Sequence, residues 1–239
     1  MWTWLLLTAL AGTEPDPARD AYMAAVDRML AIVDATDAAT WTFHKQEWAD
    51  HALQPRQVMT IKARRAGDIY LRYTGDHNNG REVLYRPAVS PDEILVNPSP
   101  LLPTMTFDLD GRVATDGERY TVPNLSLHTT VERYRSDGRL LAARNHAGMA
   151  VEDLGRRLVA GEAAQCWRVT LPKDEVPALY AQVVETCVAE RTQVVIRIRA
   201  WDDEDGQRVC IEDYTWAELQ LGVPLTDLDF DPDNPAYRF

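Results

Sequence analysis

The chain is 239 residues long, 46% apolar, and carries a formal net charge of −12. That acidic balance excludes nucleic acid and anionic membrane surfaces as main partners. The apolar share, with ordinary Gly and Pro usage, excludes widespread disorder.

Met1–Ala11 opens the chain with Trp2, Trp4, Leu5, Leu6 and Leu7, followed by Ala9-Leu10-Ala11. An apolar run before a small-x-small triplet resembles a secretory signal cut after Ala11, which predicts a periplasmic or secreted protein. No Lys or Arg precedes the run, and no later stretch approaches the roughly 20 apolar residues of a spanning helix. No repeat or linker divides the rest, so residues 12–239 are expected to form one domain.

Asp16 is a good N-cap and Pro17 suits a first helical position. Tyr22, Met23, Val26, Met29, Leu30 and Val33 then recur on one face, predicting an amphipathic helix that must lie on a surface. Met23, Val26 and Leu30 are its candidate lid residues. Trp41–Ala49 reads as a first strand. Val58–Arg64, Ile69–Tyr73 and Arg81–Tyr85 follow with period-two alternation and short Gly-, Asp- and Asn-containing links, the pattern of an antiparallel sheet with one apolar and one wetter face. Glu93–Val96 and Thr104–Leu109 extend the series, separated by Pro98, Pro100 and Pro103, which break regular structure.

Asn124–Ser136 is the second predicted helix, with Asp137-Gly138 as its stop. Five more strands are expected at Met149–Val159, Ala164–Leu171, Leu179–Ala189, Gln193–Trp201 and Arg208–Leu219, with a polar hairpin turn at Asp202–Gly206. The fold class expected is α+β, mainly β. About ten to eleven strands curl into an antiparallel half-barrel whose concave face is covered by the two helices.

A hairpin around Lys173–Ala178 would set Cys166 and Cys187 within about a residue of each other, close enough for a cross-strand disulfide; three unpaired core cysteines is the alternative. Cys210 is left over as a small buried residue.

Ile61-Lys62-Ala63-Arg64, Ile69-Tyr70-Leu71 and Gly80-Arg81-Glu82-Val83-Leu84-Tyr85 resemble the signature of a bacterial envelope family, domain of unknown function 1571. Leu225-Thr226-Asp227-Leu228-Asp229-Phe230 and Asp231-Pro232-Asp233-Asn234-Pro235 resemble that family's ending. The Arg65–Asp68 turn departs from the pattern in lacking a proline before Ile69. The family is similar in architecture to periplasmic lipoprotein carriers of the Lol type. The resemblance therefore implies a curved sheet around an apolar cavity, and lipid binding only by analogy.

Trp41, Phe43, Met59, Ile61, Ile69, Leu71, Val83 and Tyr85 share the inward parity and are the candidate cavity wall. They would either hold a lipid or lipoprotein acyl chain or simply pack on the first helix as core. Arg64 and Glu82 are expected on neighbouring strands, as a pair at a cavity mouth or a surface ion pair. The five histidines show no metal-ligand spacing, and the aspartates at 227–233 lack the Gly and Glu of a calcium loop. No Gly-x-Ser-x-Gly or phosphate loop is present, so no catalysis, cofactor or metal is expected. The rival reading is an envelope interaction module with a side-chain-filled core and no ligand, which docks a protein partner; a monomer is expected under either reading.

Overall fold

The computed structural model describes residues 16–99 and 101–239; the expected leader Met1–Ala11 lies outside them. Helix α1, Pro17–Asp34, starts where the Asp16 carboxylate accepts from the backbone N–H groups of Ala18 and Arg19, both at 3.1 Å. Its buried stripe is Tyr22, Ala25, Val26, Met29 and Val33.

Strands β1 (Ala38–Ala49), β3 (Gln57–Arg64), β4 (Ile69–Tyr73), β5 (Glu82–Tyr85), β6 (Glu93–Asn97) and β7 (Met105–Asp108) follow, with a two-residue β2 (Ala52–Leu53) folded back on β1. A four-residue helix α2 (Arg112–Thr115) and a 3-10 turn (Val122–Leu125) lead into helix α3 (Leu127–Ala142). The last five strands are β8 (Ala150–Val159), β9 (Glu162–Thr170), β10 (Val183–Ala189), β11 (Val195–Glu204) and β12 (Gln207–Leu221). All main pairings are antiparallel, in the order β7-β6-β5-β4-β3-β1-β12-β11-β10-β9-β8. The molecule is thus mainly β: an open eleven-strand antiparallel sheet with helices packed on one face. The central pair β1–β12 closes by bringing the two ends of the sheet-forming chain together.

Asp205 (φ 52°) and Gly206 (φ 75°) make the two-residue β11–β12 turn, whose positive φ values match the twist of the flanking strands. Gly155 (φ 74°) takes up the register shift in β8, where an added side chain would be strained. Cys166 and Cys187 are direct register partners on β9 and β10 and form the expected disulfide.

Three expectations are corrected. Helix α3 starts later than Asn124, because Ser126 is the residue that caps it by accepting from Thr129 N–H at 3.1 Å. It runs through Gly138, which keeps a negative φ, so that Leu141 adds another buried position. Leu179–Gln182 is irregular bend, not the start of a strand, since Pro172 and Pro177 interrupt the approach. Cys210 is half-buried, and its Sγ donates to the Glu212 carbonyl at 3.3 Å.

The outer, convex face of β3–β6 is not a wet face. Residues 223–239 cross it, with a 3-10 turn at Asp227–Phe230. Phe230, Tyr70 and Leu84 form a second buried cluster. The Tyr237 ring stacks on Tyr70 at 3.8 Å. Lys62 pairs with Asp229 at 2.7 Å and Arg64 with Asp227 at 2.6 Å, fastening the tail to β3.

Candidate functional site

Among the described residues, two main hollows open on the concave side, beside a minor crevice. The larger, about 460 Å³, lies at the β4–β7 end. Its wall is apolar because successive strands present their inward positions there: Leu71 from β4, Val83 from β5, Ile94 and Val96 from β6, and Met105 and Phe107 from β7. Its cover is the chain from Val113 to Leu125, contributing Val113, Ala114, Val122 and Leu125. Lys45, Gln57, His77, Asn78 and Arg81 supply polar groups at one end. The smaller hollow, about 60 Å³, lies under α1 and α3 and is lined mainly by apolar side chains, among them Met23, Val26, Leu141, Val169 and Ile198.

A buried ionic belt runs beside these hollows. Lys45 and Glu47 on β1 lie on the same face and pair at 3.1 Å, 3% and 1% exposed respectively. Lys45 also pairs with Glu118, which accepts from the Gln57 amide at 2.7 Å. Glu47 accepts from the backbone N–H of Arg119 at 2.9 Å and from the Tyr214 hydroxyl. Glu212, fully buried on β12, receives the Tyr180 hydroxyl and faces Arg133 at 3.6 Å and Arg119 at 3.8 Å. The Arg133 guanidinium in turn stacks over the Tyr120 ring at 3.9 Å.

Three cations therefore meet three carboxylates, as burial of charge requires. Burial pushes the Glu212 carboxyl up from its ordinary value, with Arg133 and the Tyr180 hydroxyl pulling the other way. Burial alone would lower the Lys45 ammonium, but Glu47 and Glu118 outweigh it and hold it above the usual lysine value. Glu118 and Arg119 belong to the covering segment, so the belt clamps that cover onto the centre of the sheet.

The candidate wall divides. Leu71 and Val83 line the larger cleft. Trp41 borders a minor crevice beside Ser126 and His128. Phe43, Met59, Ile61, Ile69 and Tyr85 are buried in the main core, at or below 8% exposure. Of the lid residues, Met23 and Val26 line the smaller hollow, whereas Leu30 only packs against the core.

Arg64 and Glu82 are not partners. Strand β4 separates β3 from β5, and both side chains point to the convex face. There Arg64 holds Asp68 and Asp227, while Glu82 accepts from Arg238 N–H at 2.8 Å and faces Arg72 at 3.7 Å. His51 hydrogen-bonds Asp205 at 2.7 Å. Among the described residues no group of three metal-capable side chains assembles, and no helix is long and apolar enough to cross a membrane.

A curved antiparallel sheet clasping two helices over a hollow is a fold that the chain shares with a solved bacterial lipoprotein. The chain resembles the lipoprotein LppX of Mycobacterium tuberculosis at 13% identity, with 89% of this chain and 99% of that one covered at a TM-score of 0.51. It also resembles a LolA superfamily protein from Nitrosomonas europaea (11% identity, 88% and 97% covered, TM-score 0.36). A third match is the MucA/MucB complex of Pseudomonas aeruginosa (16% identity, 87% and 60% covered, TM-score 0.45). The chain belongs to the DUF1571 family, proteins of unknown function, which it matches over residues 36–239. No curated protein matches it.

Proposed function

We propose that this is a noncatalytic protein of the bacterial envelope that holds a lipid or a lipoprotein acyl chain in the cleft between β4–β7 and the 113–125 segment. The observation that carries the reading is that cleft: about 460 Å³, within the range of small-molecule sites, with an apolar wall and polar groups at one end. An acyl chain laid along Leu71, Val83, Ile94 and Phe107 would gain about 0.8 kcal/mol per methylene removed from water. The Cys166–Cys187 disulfide supports an oxidising compartment, and the likeness to a lipoprotein fold is consistent with it. The cover to be displaced for loading is the 113–125 segment; α1, the lid expected from the sequence, covers the smaller hollow instead.

Native mass spectrometry of gently purified protein, with fluorescence titration of parinaric acid, tests this. An acyl-sized mass increment and saturable probe binding that Val83→Trp abolishes are the expected results. The bare polypeptide mass together with no probe binding would reject the reading.

A further inference from the structure

We infer that the cleft selects amphiphiles with an anionic head group, carboxylate or phosphate, and that Arg81 is the residue that recognises it. The inference rests on the proposed acyl-binding role of the cleft and adds the chemistry of its polar end. One lysine and one arginine line the cleft, Lys45 and Arg81. Lys45 is neutralised by Glu47 and Glu118. Arg81 differs: among the described residues no carboxylate lies within 4.0 Å of its guanidinium, and its Nε is buried without a hydrogen-bond partner.

Its guanidinium lies over the Tyr73 ring, with Cζ 5.7 Å from the ring centre. A planar cation held over an aromatic face, with an unmatched buried donor, is costly on its own and suited to a bidentate oxyanion. The carboxylates in the same cleft do not supply it. Glu118 is committed to Lys45 and Gln57, Asp50 accepts from Gly117 N–H at 3.0 Å, and Asp116 is exposed. The apolar wall begins two residues from Arg81, at Val83 on the same face of β5. An oxyanion on Arg81 thus leaves its alkyl chain directed along Val83, Ile94 and Phe107.

The test uses the full chain and four ten-carbon probes: decanoate, decyl phosphate, decanol and decylammonium, titrated calorimetrically at pH 7.5. Decanoate and decyl phosphate are expected to bind at least about tenfold tighter than decanol, the size of one charge-assisted hydrogen-bonded contact, with decylammonium weakest. Arg81→Gln should bring the decanoate-to-decanol affinity ratio close to one, and Arg81→Lys should keep part of the preference. Decyl phosphate binding tighter than decanoate would point to a phosphate head group, and the reverse to a carboxylate; either outcome supports the inference. Equal binding of decanol and decanoate to the native protein would overturn the inference and leave acyl binding standing. Binding of none of the four would overturn both, and the native comparison decides even if the variants fail to fold.

Discussion

The two ends of the sheet solve the same covering problem in opposite ways. At the β8–β12 end, α1 and α3 lie on the concave face and nearly fill it, leaving about 60 Å³. The convex face there stays open to water and carries an ion-pair ladder in which Arg168 and Arg199 share Glu185, and Arg197 and Arg199 share Asp213. At the β3–β7 end the tail covers the convex face and the concave face holds the hollow. A strand can leave one face unfilled and keep its place when its other face is buried. The cleft wall, Leu71 and Val83, is backed directly by Tyr70 and Leu84 in the same strands, and these are held by Phe230 and Tyr237.

The largest test of this contrast is to remove the backing. Phe230 is 1% exposed, and the Arg64 guanidinium lies 4.9 Å from its ring centre. Phe230→Ala should cost about 3–5 kcal/mol, as for other buried aromatics. It should also weaken parinaric acid binding although residue 230 never touches the cleft. Denaturant unfolding and probe titration on the same sample read both effects. A stability loss with unchanged probe binding would show that the hollow does not depend on the tail.

The filled end depends on covalent closure as well. The Cys166–Cys187 bond joins neighbouring strands across a separation of 21 residues, with both residues buried. Removing it with the paired variant Cys166→Ala/Cys187→Ala should cost about 3 kcal/mol, chiefly by freeing the unfolded chain. Because the cleft is built from other strands, probe affinity should stay within about twofold of native once the comparison is made well below the unfolding midpoint. A large loss of affinity would mean the two ends are coupled through β1–β12.

The strands and the first helix were legible because alternation, caps and turn residues are local signals. Asp16-Pro17 announces α1, Asp205-Gly206 announces a hairpin, and Cys166 and Cys187 fall opposite each other once the hairpin is drawn. What covers each face was not legible. Period-two alternation says which residues share a side, not what lies against it, so Tyr70 and Glu82 read as outward when the tail buries them to 5% and 0%. Lys45 and Glu47 share the inward parity of Trp41 and Phe43, but nothing in their strand signals the partners that meet them from Glu118 and Arg119 far along the chain. The 113–125 cover has one four-residue helix and no sustained periodicity, so the roof of the cleft had no sequence signature. Arg81 could not be singled out, since its distinguishing property is the partner it lacks in space.

The smallest predicted effect comes from Asp137, which with Gly138 reads as a helix stop and instead lines the smaller hollow within α3. Burial pushes its carboxyl up from 3.8 to about 6, opposed by the Tyr180 N–H that it accepts at 3.3 Å and by Lys173 and Arg133. A carboxyl whose folded pKa exceeds its unfolded value binds its proton more tightly in the native state. Its contribution is fully present below about pH 4 and is lost as pH rises through about 6. Solvent reaches part of this group, so the contribution is about 1 kcal/mol, well below the full linkage value. Asp137→Asn should therefore remove a fall in stability between pH 4 and 7 and match or exceed the native protein at pH 7. Urea unfolding at pH 4.0, 5.5 and 7.0 reads the difference between the two proteins, cancelling every other carboxylate. If the difference is flat across that range, the smaller hollow is wet enough to solvate the charge, and the contrast between a dry end and an open end of the sheet fails.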